Sequence, residues 1–275
     1  MIAATVLGIP GTLCSPALFE PTWQALNASH PDVAARGVSW MDGLGPWDIP
    51  SVAARLASSL RAASAGGAAD GAPGGAAGGA GPALVVGHST GGAIALELAL
   101  SAPDLVSGLV LVDTGPNMHD HGDVDGILRT IRDAWGEPLW AGILDRSFAS
   151  PLPGDVRASF LDYARGVSRR AALDVLTSQR ALDFLPRLAA LECPVAVVHG
   201  LLDPVRTVAQ ASAFAAALAA AAAPALTAAG APAGPPVAGS PAAPPRPALT
   251  LLDCGHSPPY EAPQAFAATL APFLP

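Results

Sequence analysis

The sequence predicts an α/β fold, a mostly parallel sheet wrapped by helices and interrupted by a helical insertion. Short β-branched or Leu-rich runs alternate along the chain with longer stretches of helical periodicity. An apolar run, Ala83 to Val86, breaks at Gly87-His88-Ser89-Thr90-Gly91-Gly92 and resumes at once as an Ala-rich, helix-like pattern. A third segment, 114–190, carries Trp135, Trp140, Phe148, Phe160, Tyr163 and Phe184 within amphipathic patterns, between two strand-like runs.

Taken in order, Ala4 to Leu7 reads as the first strand: it has no basic leader before it and runs straight into a Gly/Pro turn, unlike a signal peptide. A helix is expected over Leu18 to Leu26, a strand over Val33 to Trp40, and a helix over Val52 to Ala62. The strand Ala83 to Val86 leads into a helix at Gly91 to Leu100, and Leu109 to Val112 forms the next strand. After the insertion come a strand at Val195 to Val198, a helix at Val205 to Ala222, a strand at Leu249 to Leu252 and a helix at Pro263 to Phe273. The core is therefore expected in 1–113 and 191–275, with 114–190 as a helical cap. Two Gly/Ala/Pro-rich stretches, 64–81 and 223–247, read as surface excursions, since their side chains offer little apolar area against the entropy of ordering them. Loop entropy grows only logarithmically with length, so such expansions are tolerated.

Composition excludes several classes of function. The 275 residues carry a formal net charge of −8, and all fourteen basic residues are arginine. Bulk charge thus argues against nucleic acid or an anionic membrane as a partner. The three cysteines, Cys14, Cys193 and Cys254, are far apart and lack metal-ligand spacing, which fits a reducing, cytoplasmic compartment. The Ala-rich run at 215–223 lacks the Leu/Ile/Phe content of a spanning helix, so no transmembrane segment is expected. His119-Asp120-His121 reads as a solvated loop cluster, and neither a metal nor a cofactor is expected.

The break at Gly87-His88-Ser89-Thr90-Gly91 carries the chemistry. Glycines flanking a serine at two-residue spacing, directly between strand and helix, form the nucleophile-elbow pattern. A serine hydroxyl needs a base to take its proton, and the base needs an orienting acid. His256, in Gly255-His256-Ser257 just past the last strand, is the candidate base. Asp203, after the preceding strand, is the candidate acid on the chain order Ser, Asp, His, with Asp113 at the end of an earlier strand as its rival. The wide spacing from Asp203 to His256 is accounted for by the stretch 223–247. For a developing oxyanion, the donors expected are the backbone N–H of Thr90 and, from the loop after the first strand, that of Thr12 or else Leu13.

Through Pro10-Gly11-Thr12, Gly87 to Gly92, His199-Gly200-Leu201-Leu202-Asp203 and Gly255-His256, the chain resembles the α/β-hydrolase-fold enzymes of esterase, lipase and lactonase type over nearly its whole length. The resemblance implies a six-stranded core that begins at the family's third strand, with a helical cap between the family's strands 6 and 7. Pro10 stands where many members carry the histidine of a His-Gly pair, which bears on the oxyanion assignment. Ser89, in place of an aspartate nucleophile, sets the chain apart from the dehalogenases and epoxide hydrolases of that fold.

The expected reaction is cleavage of a small carboxylic ester, lactone or thioester through an acyl-enzyme. The alternatives are carbon–carbon hydrolysis or lyase or cyclase chemistry with the same triad, and a ligand-binding receptor on the same architecture. Trp135, Trp140 and Phe160 are expected to line an acyl pocket under the cap. Nine arginines fall in 114–190, matched there by ten acidic residues, so most belong to solvated faces. The resemblance extends to carrier-protein methyl esterases, which would give Arg169 and Arg170 a role in binding a substrate carboxylate or an acidic acyl-carrier protein.

Overall fold

A computed structural model of the protein describes residues 4–65, 81–228 and 248–275. Six strands, β1 (Ala4–Ile9), β2 (Val33–Gly37), β3 (Ala83–His88), β4 (Val106–Val112), β5 (Val195–Gly200) and β6 (Ala248–Leu252), form one all-parallel sheet in the order β2-β1-β3-β4-β5-β6. The central register sets Gly8 of β1 beside Val86 of β3, Val86 beside Val110 of β4, and Val112 of β4 beside Val198 of β5.

Side chains on a strand alternate between the two faces, so a sheet buried on both sides reads as a continuous apolar run. Val85, Leu109, Leu111 and Val197 enter one hydrophobic cluster, whereas Leu84, Val86, Val110, Val112 and Val198 enter the other. The first cluster is covered by α2 (Ile49–Ser64), α3 (Thr90–Ser101) and α8 (Val208–Ala228). The second is covered by α1 (Glu20–Ser29) and a later helix, Pro263–Leu270, whose Phe266 and Leu270 are fully buried. The strand expected over Val33 to Trp40 ends at Gly37, because Trp40 turns inward to donate its indole N–H to the Pro10 carbonyl at 2.8 Å. The Gly/Ala/Pro-rich stretches at 64–81 and 223–247 fall, apart from their edges, outside the described residues.

Between β4 and β5 the chain forms α4 (Val124–Asp133), α5 (Glu137–Arg146), α6 (Gly154–Gly166) and α7 (Arg169–Ala181). Local capping starts two of them: the Asp123 carboxylate accepts from Gly126 N at 2.7 Å, and Ser168 Oγ accepts from Ala171 N at 3.1 Å. Such caps contribute about 1 kcal/mol each. These helices do not enclose a core of their own. Leu128, Ile131, Trp140 and Val175 join the cluster that holds Val85 and Leu111, and Phe148 and Phe160 join the opposite one. Arg187, on the return to β5, adds a bidentate pair with the nearly buried Glu97 of α3.

Two short elements complete the chain, α9 (Pro258–Glu261) and α10 (Pro263–Leu270). No helix among the described residues is long and apolar enough to cross a membrane. Phe266 of α10 anchors the outer layer, and removing its ring leaves a cavity that the sheet cannot fill. Phe266→Ala is expected to lower the free energy of unfolding by about 3–5 kcal/mol, read as a drop in urea midpoint at unchanged slope.

Candidate active site

The site is built on strand ends. Ser89 lies between β3 and α3 with φ 53° and ψ −121°, a left-handed corner that costs a non-glycine residue about 1–3 kcal/mol. Its neighbours make the corner possible. A Cβ on Gly87 would stand 2.6 Å from the Gly91 carbonyl oxygen, and one on Gly91 would stand 2.0 Å from the Ile9 carbonyl oxygen. The Ser89 amide donates to Val112 O at 2.9 Å, which ties the turn to β4.

His256 is carried by the loop between β6 and α9. Its Nδ1–H donates to Asp203 Oδ2 at 2.8 Å, and Asp203 Oδ1 accepts from Val205 N at 2.7 Å. Burial pushes the Asp203 carboxyl up, but the His256 and Val205 N–H groups outweigh it and hold it below the usual range. Burial likewise disfavours a charged His256, which is 4% exposed, yet the bond to Asp203 and the charges of Asp203 and Asp113 raise it above an ordinary histidine. The loop is fixed from outside by Glu261, whose carboxylate accepts from Gly255 N at 2.9 Å and from Ala149 N of the helical insertion at 2.6 Å.

The rival acid lies behind the pair. Asp113 Oδ1 accepts from Gly200 N at 2.9 Å and stands 2.8 Å from His199 Nδ1, so the structure sets Asp203, and not Asp113, on His256. Burial raises the Asp113 carboxyl. Asp113, His199 and Asp203 bring ligand atoms within 4.8 Å of one another, but Asp203 and Asp113 already accept N–H bonds there. The cluster is thus a buried polar support for His256 and a poor fit for a cation.

His88, inside the elbow, is a residue that sequence reasoning missed. Its Nε2–H donates to the His256 carbonyl at 2.6 Å, linking the serine turn to the histidine loop. Burial, with His256 beside it, pushes this imidazole down to about 3, so it stays neutral. The only sequence signal was a polar residue at the last position of an apolar strand.

The loop after β1 forms the facing wall. Leu13 N is occupied by Met41 Sδ at 3.2 Å, and of Thr12 and Leu13 it is Thr12 that lines the cleft with Ser89 and Thr90, alongside Gly11 and Cys14 of the same loop. Thr12 Oγ1 donates to Thr90 Oγ1 at 2.9 Å, which donates onward to Gln179 Oε1 at 3.0 Å, so α7 of the insertion is joined to the elbow.

Ser89 and His256 line one cleft of about 120 Å³ together with Thr12, Thr90, Gln179 and Arg206. Ser89 Oγ has no hydrogen-bond partner among the described residues, and contacts of this kind tighten when substrate arrives. The apolar wall is aliphatic, with Ile127 and Ile131 of α4, Ile143 of α5 and Leu176 of α7. This corrects the expectation for the aromatics. Trp135 packs edge-on against Trp140 on the shared core, and Phe160 closes a triangle with Phe148 and Tyr260, because large flat rings gain most where both faces are covered. Trp140 and Phe160 border a smaller neighbouring void, and none of the three lines the cleft over Ser89. Arg169 and Arg170 also lie away from it: Arg169 donates to the Arg132 carbonyl, and Arg170 pairs with Asp174. Cys14 lines the cleft, but burial pushes its thiol up to about 12 and keeps it protonated.

A family model described as alpha/beta hydrolase fold matches residues 76–223, which is more than half of the chain. The chain belongs to the α/β-hydrolase fold family. Within it, the chain is 31% identical over 130 residues to a putative carbamate hydrolase, RutD, of Variovorax paradoxus. That match covers 43% of this chain and 47% of the relative. Its fold resembles an esterase from Exiguobacterium antarcticum with a TM-score of 0.69 at 16% identity, covering 98% of this chain and 90% of the other. An enol-lactonase from Burkholderia xenovorans gives a TM-score of 0.67 at 19% identity, covering 98% and 91%.

The Asp203 carboxylate stabilises the His256 imidazolium, so the charged form persists to higher pH than in a free histidine. In a nitrogen-detected NMR titration His256 is expected to lose its proton above about 6.5, the ordinary value. Asp203→Asn removes that charge and is expected to move the midpoint down. An unchanged midpoint would contradict the arrangement.

Proposed function

We propose that this α/β-hydrolase is a serine hydrolase of small carboxylic esters or lactones, with Ser89 as nucleophile, His256 as general base and Asp203 as the acid that orients it. The observation that carries this reading is the 2.8 Å bond from His256 Nδ1 to Asp203, with His256 lining the same cleft as Ser89 at its left-handed corner. With Nδ1 engaged, Nε2 is the ring nitrogen free to accept the serine proton. The names of the relatives support the reading, since a carbamate hydrolase, an esterase and an enol-lactonase all cleave a carbonyl carbon from a heteroatom.

In the first step Ser89 Oγ attacks the carbonyl carbon while His256 Nε2 takes its proton. The carbonyl oxygen gains the negative charge and meets the backbone N–H groups of Thr90, at the start of α3, and of Thr12. Collapse of this intermediate breaks the bond to the alkoxy oxygen, which leaves with the proton held by His256. Water then repeats the sequence on the acyl-enzyme: His256 removes its proton, the acid product departs, and Ser89 recovers its hydrogen. A volume of about 120 Å³ equals that of about four waters at about 30 Å³ each, which favours a small substrate.

Ser89→Ala is expected to reduce kcat on a small phenyl ester by about 10⁴-fold or more, and wild-type protein to take up one equivalent of a fluorophosphonate at Ser89. Full activity in Ser89→Ala would overturn the mechanism. Because His256 must be neutral to act as base and its pKa is raised, kcat/KM should fall as pH drops through a value above about 6.5.

A further inference from the structure

The lining of the cleft is unlike the chain that builds it. In a protein of net charge −8, the described residues that line the cleft around Ser89 include two arginines, Arg146 and Arg206, and three histidines, but no aspartate or glutamate. Arg206 follows Asp203 by three residues on the loop after β5 and is only 7% exposed. Its Nη2 donates to the Asn117 carbonyl at 2.9 Å, and among the described residues no carboxylate forms an ion pair with it. The nearest acids act on it only through space, and Asp203 is already committed to His256 and Val205. Burying a guanidinium without a counter-ion is costly, and this one stays charged.

The surroundings accommodate that group deliberately. A Cβ on Gly115 would stand 2.4 Å from Arg206 Nη1, so the backbone after β4 leaves room for the guanidinium. His121 faces the same cleft with its Nδ1 buried and, among the described residues, without a hydrogen-bond partner. Burial and the Arg206 charge hold this imidazole down at about 4, so it is a neutral hydrogen-bonding group at pH 7.

We propose that the cleft takes a substrate bearing a carboxylate, held by Arg206 with His121 beside it, while the ester carbonyl lies at Ser89. This rests on the serine-hydrolase reading of the same site. A planar carboxylate matches the guanidinium fork, and one buried cation matches a monoanion better than a dianionic phosphate. The aliphatic wall of Ile127, Ile131 and Leu176 then packs the chain between the two ends.

The test compares matched esters: monophenyl glutarate against phenyl valerate, with the anion on the acyl side, and 4-carboxyphenyl acetate against 4-methylphenyl acetate, with it on the alcohol side. The wild-type kcat/KM is expected to favour the anionic member of at least one pair by about 10-fold or more. Arg206→Met should lower that ratio by about 30-fold, Arg206→Lys by less, and Arg129→Met, an exposed arginine of α4, should leave it alone. Should Arg206→Met fail to fold, wild-type inhibition constants decide: glutaramate, the monoanionic monoamide, is expected to inhibit at least about 10-fold more tightly than glutaramide. Equal ratios in wild type and Arg206→Met, or equal inhibition by glutaramate and glutaramide, overturn the proposal. If no ester is turned over, the serine-hydrolase reading fails, and calorimetric titration of Ser89→Ala protein with glutaramate and glutaramide decides the anion site by itself.

Discussion

The left-handed corner at Ser89 is the constraint on which the rest depends. A serine held at φ 53° is stable only if the chain around it leaves no alternative, and three segments supply that confinement. The Val112 carbonyl takes its amide, the Ile9 carbonyl crosses directly above Gly91, and Thr114 lies against Gly92. These are the ends of β4 and β1 and the second residue beyond β4. The ordering of β1, β3 and β4 at the centre of the sheet is therefore also what holds the hydroxyl at the mouth of the cleft. Strain at this point is offset by burial across both faces of the sheet, where aliphatic strands are covered by helices on each side.

Behind the corner, the polar groups form a layered support. His256 touches the cleft, Asp203 lies behind it, and Asp113 with His199 lies behind Asp203. The two carboxyls respond in opposite ways: Asp203 is held down by its N–H donors, while Asp113 is raised by burial. A low dielectric strengthens the bond that aims the imidazole and makes any unpartnered member costly. His88 and Glu261 add main-chain ties to the same loop, so His256 is positioned by its backbone as well as by its side chain.

The sheet was legible in the sequence because each central strand is buried on both faces and reads as an unbroken apolar run, as in Ala83-Leu84-Val85-Val86. Ser89 was legible because the steric demands of its turn are met by immediate neighbours, Gly87 and Gly91. His256 and Asp203 followed from chain order once the serine was placed. The helical insertion was legible as helices but not as surfaces. Which side of α4 or α7 faces the cleft depends on how the insertion lies on the sheet, so aromatics at Trp135, Trp140 and Phe160 suggested a pocket that Ile127, Ile131 and Leu176 in fact line. Gln179 and Arg206 belong to no local pattern, and His121, expected in a solvated His119-Asp120-His121 cluster, instead lines the cleft; each acquires its place only when distant segments meet.

The insertion shares its hydrophobic interior with the sheet, and this bears on how such a protein can change over evolutionary time. Ile131 is fully buried and at the same time part of the cleft wall. A smaller residue there would enlarge the space over Ser89 and thin the core in one event. New substrates and thermodynamic robustness are thus negotiated at the same positions, and a lineage exploring bulkier substrates must first accumulate stabilising changes elsewhere.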